Sequence, residues 1–370
     1  MGVSVARVIQ YHSSTIGTDA IGNSILELHA LLRAQGIESI VASGDEVVSR
    51  APAVVVPASQ ILMASLKHSF RPNDVLLIHF SFFDAIAEQL AQLPLRKAIV
   101  YHNVTPSIFF RRVGLDSLGD ACDGARVQLG RLAPLFDAAI GDSEYNCTEL
   151  RQCGFKQVST IPVFVDTESF GSAGIDPGLL LDIKRSADVN LVFIGRFVPN
   201  KGIENLISVV EIYRRVFRRT INLHLVGKVW DENYFASLTA HAGKLGVASL
   251  LRFHIDRPLN HLRTLLAAAD AFVSMSEHEG FMVPIVEAFA AGCPVIALNT
   301  SAVAETMGGA GILIDTADLE LVAGMIHLLT TDRELRDRVI RQQSGRALDF
   351  RSARTGRRWL DTINTLANAS

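Results

Sequence analysis

The feature that most constrains this chain is an alternation, kept up along its length, of short aliphatic runs with amphipathic stretches. VARVIQY (Val5–Tyr11), ESIVAS, AVVVP, DVLLIHF, KAIVYH, AAIGDS and VSTIPV are rich in Val and Ile and bounded by turn residues. Such near-continuous apolar runs fit strands buried on both faces, which parallel sheets covered by helices require. ILELHALLRAQG repeats its apolar residues with helical spacing and stops at Gly36.

The pattern breaks at PVFVDTESFGSAGIDPG (Pro162–Gly178), where Gly, Pro, Asp and Ser accumulate, and then restarts. VNLVFIGRF, INLHLVG, LLRFHI, AFVSM, CPVIAL and GILID read as a second set of strands. KGIENLISVVEIYRRVF, DENYFASLTAHAG, PLNHLRTLLAAA, PIVEAFAAG and DLELVAGMIHLLT read as the helices between them. A chain of 370 residues, 49% of them hydrophobic, supports two cores of this kind rather than one. The expected class is α/β, with two Rossmann-like domains facing across a cleft. Residues 1–165 form the first, 166–185 link, and 186–349 form the second. Open sheets of this kind bind ligands outside the carboxyl ends of their strands.

Composition excludes some functions. With 35 Lys and Arg against 38 Asp and Glu the net charge is −3, so no global electrostatic case for nucleic acid exists. Cys122, Cys147, Cys153 and Cys293 show no metal-type spacing and fit a reduced cytosol. The start, MGVSVARVIQYH, lacks the long apolar core of a signal peptide, and no run is long enough to span a bilayer. The expected location is therefore cytoplasmic. RALDFRSARTGRRWLDTINTLANAS mixes Arg with Phe350, Trp359, Leu360 and Ile363. It offers either a helix packed on its own protein or peripheral contact with an anionic membrane surface.

Four stretches carry candidate chemistry. GRFVPNKG follows a strand directly. Gly195 allows close backbone approach, and Arg196 and Lys201 bring two cations to a strand-to-helix junction, as a diphosphate requires; an ordinary solvated turn is the alternative. TIGTDAIGN follows the first strand, with Gly17 open to a ligand. Asp19 and Asn23 there can hold sugar or acceptor hydroxyls or simply cap the next helix. YHNVTP ends a strand with His102, able to bond a sugar hydroxyl, followed by Arg111 and Arg112, which face either a phosphate or solvent. His79 and His254, also at strand ends, are weaker candidates. The histidines form no metal motif, and no bound metal or cofactor is expected.

SEHEGFMVPIVEAFAAGCPVIA (Ser276–Ala297) is the fourth. Pro284 suits a helix start, which puts Glu279 in the preceding loop and Glu287 in the first turn, favoured there by the helix dipole. A carboxylate can also accept two hydrogen bonds from a vicinal diol, and the amides of Phe281, Met282 and Val283 can receive anionic oxygen. The two glutamates suit separate parts of one elongated ligand rather than one scissile bond.

Taken in order, GRFVPNKGIENLI, INLHLVG and AAADAFVSMSEHEGFMVPIVEAFAAGCPVIALNTSAVAETMGGAGILID resemble the retaining, Leloir-type glycosyltransferases of family 4, which have the GT-B fold. The resemblance is strong over residues 188–345 and thinner before them. It implies that Arg196 and Lys201 hold a donor diphosphate, Glu287 the ribose and Glu279 the transferred sugar, with the amides of Phe281 to Val283 nearby. It further implies that His102 approaches the sugar, that Gly17 lets the first loop close on the diphosphate, and that the last helix, 350–368, completes the first, acceptor-side domain. The resemblance also implies that the leaving diphosphate assists in removing the acceptor proton and that no protein-held metal is required.

The chain departs from the family at Met282, where Gly is common. With ordinary helical backbone angles its amide would still serve and its side chain would reshape the pocket. GTDAIGN and YHNVTP resemble bacterial polysaccharide mannosyltransferases, so the expected donor is GDP-mannose. The expected acceptor is a glycan or polyprenyl-diphosphate-linked saccharide of a bacterial surface polymer such as lipopolysaccharide. The alternatives are a UDP-sugar donor or a degenerate, non-catalytic partner subunit. An epimerase or a phosphorylase on the same fold has no specific signal.

Overall fold

The computed structural model describes residues 5–13, 19–44, 54–67, 69–168, 170 and 174–368. The chain divides into two compact units. The first comprises Met1–Arg111, Leu115–Val165 and Ser352–Ser370, and the second Arg112–Gly114 and Asp166–Arg351.

The first unit is built on seven strands among the described residues: β1 (Arg7–His12), β2 (Glu38–Ser43), β3 (Val55–Pro57), β4 (Asp74–Phe80), β5 (Arg96–Tyr101), β6 (Ala138–Gly141) and β7 (Val158–Thr160). Their order is β3-β2-β1-β4-β5-β6-β7, and all pairings are parallel. All seven residues of β4 are buried, which is why DVLLIHF carries no polar alternation of the half-exposed kind. The helix Ala20–Ala34 packs Leu28 and Leu32 on one face of the sheet, against Val8, Val75 and Val100. Trp359, Ile363 and Leu366, from the C-terminal helix Ser352–Ala367, close that same core.

The second unit repeats the plan with β8 (Val189–Ile194), β9 (Ile221–Gly227), β10 (Leu251–Ile255), β11 (Ala271–Ser274), β12 (Val295–Leu298) and β13 (Ile312–Ile314). The order is β10-β9-β8-β11-β12-β13, again all parallel. Taking each sheet from its own first strand, the second reads 3-2-1-4-5-6 and the first reads the same with a seventh strand added at the end, the doubly wound arrangement that reverses direction beside its first strand. The stretch 166–185, expected as a linker, holds most of a helix, Pro177–Ser186, started by Asp176, which accepts from the amides of Gly178 and Leu179. Ile183 of that helix is buried in the second unit with Val192, Leu265 and Phe289.

Candidate active site

In the second unit the strand order reverses between β8 and β11, and four of the charged residues singled out in the sequence lie in the segments that follow those two strands. After β8 the chain passes Gly195 and the exposed Arg196, then makes a single 3-10 turn, Pro199–Lys201, before the helix Ile203–Phe217. Gly202 joins turn to helix with φ +59°, and a Cβ there would collide with the carbonyl oxygen of Met275. That close approach brings the β8 segment against the one that follows β11. Asn200 then fastens them: its amide donates to the carbonyl of His278 at 3.0 Å, and its own carbonyl accepts from the Glu277 amide at 2.8 Å.

Lys201 Nζ donates to both carboxylate oxygens of Glu279, each at 2.7 Å, and both side chains are largely buried. Glu279 is fixed in turn by its backbone amide, which donates to Ser301 Oγ at 2.7 Å. Arg196 makes no ion pair among the described residues.

The helix after this loop is Val283–Ala290, with Met282 as its N-cap in the left-handed region, at φ +79°, ψ +67°. Met282 therefore does not hold the ordinary helical angles that were the condition for a neutral replacement of Gly. Its side chain is buried against Val192, Phe272 and Ile285 rather than lining an open pocket. The left-handed turn has a chemical result: the backbone N–H groups of Phe281, Met282 and Val283 meet no protein acceptor among the described residues. Successive amides splayed by such a turn at a helix start form an anion-binding concavity. Thr306 Oγ1 bonds the Phe281 carbonyl and holds the loop in place.

Because the helix begins at Val283, Glu287 lies beyond the first turn, which contains no acidic residue. The dipole-based explanation for Glu287 thus fails, since that effect fades within one turn. Burial instead pushes its carboxyl up to about 7, opposed by the neighbouring Arg263. Among the described residues no hydrogen bond or ion pair satisfies this carboxylate. A half-buried acceptor left without a donor is a site prepared for one.

The remaining candidates of the second unit are engaged by protein partners. Arg112 falls with this unit, where it pairs with Glu277 at 2.6 Å and donates to the Pro199 carbonyl at 2.7 Å. His254 belongs to a chain of imidazoles: His261 Nε2 lies 2.9 Å from His254 Nδ1, and His254 Nε2 lies 3.0 Å from His224 Nδ1. His224 ends the chain 3.3 Å from Asn190 Oδ1. Burial pushes His224 down to about 3 and His254 down to about 4, so both are neutral rings in this core.

In the first unit, Gly17 lies outside the described residues. Asp19 caps the helix Ala20–Ala34 by accepting from the Gly22 amide at 2.8 Å, while Asn23 is exposed on that helix. Arg111 is taken up by Asp120 at 2.7 Å and Asp123 at 2.9 Å, which leaves little net positive charge for a phosphate. His102 follows β5, with its amide bonded to the Phe80 carbonyl at 2.9 Å. Its Nδ1 lies 2.7 Å from Asp142 Oδ2 and its Nε2 lies 2.9 Å from His79 Nδ1, so both ring nitrogens are engaged. Burial and the neighbouring His102 and His12 hold His79 well below the usual histidine range. Asp142, Asn200, Gly202 and Ser301 escaped the sequence reading as parts of these sites, and His79 was only a weaker candidate. Only the glycine in the NKG turn carried a local signal.

Two successive units of this topology define the GT-B fold class, and comparisons agree. The chain superposes on sucrose-phosphate synthase of Thermosynechococcus elongatus with a TM-score of 0.77, at 15% identity, over 99% of this chain and 100% of that one. It superposes on Anabaena HepE in complex with UDP-glucose with a TM-score of 0.73, at 16% identity, over 97% and 99%. At such identities the likeness speaks for the fold. Residues 184–346, within the second unit, match the family described as Glycosyl transferases group 1. Among curated proteins, the O-antigen chain mannosyltransferase B of Escherichia coli is 30% identical over 136 residues, 36% of this chain and 35% of that protein. The MMP alpha-(1->4)-mannosyltransferase of Mycolicibacterium hassiacum is 32% identical over 186 residues, 49% and 42%. The matches thus span less than half the length of these relatives.

Proposed function

We propose that this chain is a retaining glycosyltransferase that moves a sugar from a nucleoside-diphosphate donor to an acceptor hydroxyl. The observation that carries the proposal is the pairing of cations, free amides and unsatisfied carboxylate at the carboxyl ends of β8 and β11, where the strand order of the second unit reverses. Arg196 and Lys201 face the diphosphate together with the amides of Phe281, Met282 and Val283. Glu287 accepts from the ribose hydroxyls. Glu279, released from Lys201 as the phosphate takes its place, accepts from hydroxyls of the sugar.

The reaction breaks the bond between the anomeric carbon and the diphosphate oxygen. The acceptor oxygen bonds to that carbon on the same face, and its proton passes to the departing diphosphate. Negative charge grows on the leaving group, where Arg196, Lys201 and the fixed amides stabilise it as it develops. A non-catalytic partner subunit would have no need of this set intact.

A uridine diphosphate sugar is the donor reading supported by similar folds captured with UDP ligands. GDP-mannose is the second reading, favoured by the two mannosyltransferases matched over the donor-side unit. The acceptor is a glycan or lipid-linked saccharide. Thermal stabilisation by UDP, GDP and ADP sorts the donors first, because a ligand that binds only the folded state raises apparent stability. Incubation with UDP-glucose and GDP-mannose and an extract of lipid-linked acceptors, read by product mass, then tests transfer. The expected result is a mass increment of one hexose from one donor; binding of no nucleotide and no increment from either would refute the proposal.

A further inference from the structure

In the second unit β8 and β9 run on together past their last paired strand residues. Ile194 pairs with Val226, and the same register continues to a parallel bridge between Phe197 and Val229. The Gly195 amide donates to the Val226 carbonyl and the Phe197 amide to the Lys228 carbonyl, each at 2.9 Å. Glycine permits this approach, because a Cβ on Gly227 would collide with the Gly195 carbonyl oxygen.

Side chains alternate along a strand, so the register sorts them by face. Phe193, Phe197, Leu225 and Val229 turn to the core beneath the helix Ile203–Phe217. Val192, Ile194 and Val226 turn to the opposite face, against Ile285 and Phe289 of the helix Val283–Ala290, which also carries Glu287. Arg196 and Lys228 continue this second row, and both are exposed. Trp230 is next in the row after Lys228, and 48% of it is exposed.

Tryptophan is highly buried on average, but the backbone holds this one at the rim. On one side Val229 is bridged to Phe197, whose ring packs on Phe235 and Phe253 with centroids 5.9 and 6.0 Å away. On the other side Asp231 caps the helix Glu232–Lys244, accepting from the Tyr234 amide at 2.7 Å. An aromatic ring on so fixed a segment loses little freedom when a ligand covers it.

We propose that Trp230 is the platform on which the nucleobase of the donor stacks. The proposal rests on the glycosyl-transfer reading above, which gives the diphosphate to Arg196 and Lys201 and the ribose to Glu287 but assigns nothing to the base. A nucleotide held by its diphosphate at the ends of β8 and β11 extends its base along the same rim, over the end of β9. Every base has a π-face, so an indole there serves a uridine or a guanosine diphosphate alike.

The chain has two tryptophans, and the other, Trp359, is buried in the core of the first unit, so fluorescence during titration with UDP or GDP reads Trp230. Quenching should follow the calorimetric binding curve and vanish in W230F. The W230A chain should bind the preferred nucleotide about tenfold more weakly, and W230F nearly normally, because phenylalanine keeps an aromatic face. Inorganic pyrophosphate, which has no base, should bind all three chains alike. Nucleotide binding that leaves the fluorescence and the W230A affinity unchanged would overturn the proposal. Equal loss of pyrophosphate and nucleotide in W230A would overturn it too, and make Trp230 a structural residue of its loop. An unsubstituted chain that binds neither nucleotide would refute the glycosyl-transfer reading itself, and the stack with it.

Discussion

Glu287 shows how a single residue can be costly to the fold and useful to a ligand. Its carboxyl, pushed up to about 7 by burial, binds its proton more tightly in the folded chain than in the unfolded one. The folded state therefore holds more protons between the ordinary carboxylate range and pH 7, and stability falls as pH rises through that window. Glu287→Gln removes the charge. We expect it to stabilise the chain at pH 8 by up to about 3 kcal/mol and to have little effect near pH 4.5, as denaturant midpoints at the two values would show. The same substitution should weaken nucleotide binding, since the amide offers one neutral acceptor oxygen where the carboxylate offers two charged ones. Equal stability gains at both pH values would dispose of the burial argument. The motif singled out Glu287 in the sequence as a candidate ribose acceptor. Its raised proton affinity was not legible, because that depends on which residues surround the helix and on a helix start one residue earlier than Pro284 suggests.

At the scale of elements the strands were the easiest to read. DVLLIHF, ESIVAS and INLHLVG coincide with β4, β2 and β9, because a strand buried on both faces writes its whole length in aliphatic residues. Helices were legible only where one face alone is apolar. The helix Asp116–Leu132 is polar and includes Gly119, Gly124 and Gly130, so propensity does not announce it; the three- and four-residue spacing of Cys122, Ala125, Leu129 and Leu132 is its sequence trace, and their packing decides the matter. The helix Val283–Ala290 is set by its cap. Met282 holds a left-handed conformation that costs a non-glycine residue roughly 1–2 kcal/mol, while its buried side chain contributes about 1.5–3 kcal/mol. Met282→Ala keeps the strain and loses the burial, whereas Met282→Gly loses the burial and relieves the strain. Glycine should therefore be the milder substitution, by about 1 kcal/mol in denaturant unfolding, the reverse of its usual rank against alanine. If alanine proves milder, the left-handed cap is not the ligand-free conformation.

For the whole molecule, the sequence announced two α/β units, but the division of labour between them emerges from contacts distant in the chain. The His79–His102 line joins strands that no local motif connects, and the C-terminal helix belongs to the first unit although it follows the second. Trp359, Ile363 and Leu366 bury their side chains among Leu28, Leu32, Val75 and Val100, and Gly356 leaves room for Leu31 where a Cβ would crowd it. Each of those side chains contributes roughly 1.5–3 kcal/mol by burial. A chain ending at Arg351 should lose a low-temperature fraction of its cooperative unfolding, with early proteolysis within residues 5–165. Nucleotide binding by the second unit should persist. Retention of full protease resistance would show that the helix is dispensable to the first core. The helix also gives the chain an order of assembly during synthesis. The second unit is encoded without interruption after Asp166, and all its strands emerge before Ser352 does. Of the two units, the one begun earlier is completed later, and its core stays open on one side until the helix Ser352–Ala367 has been made.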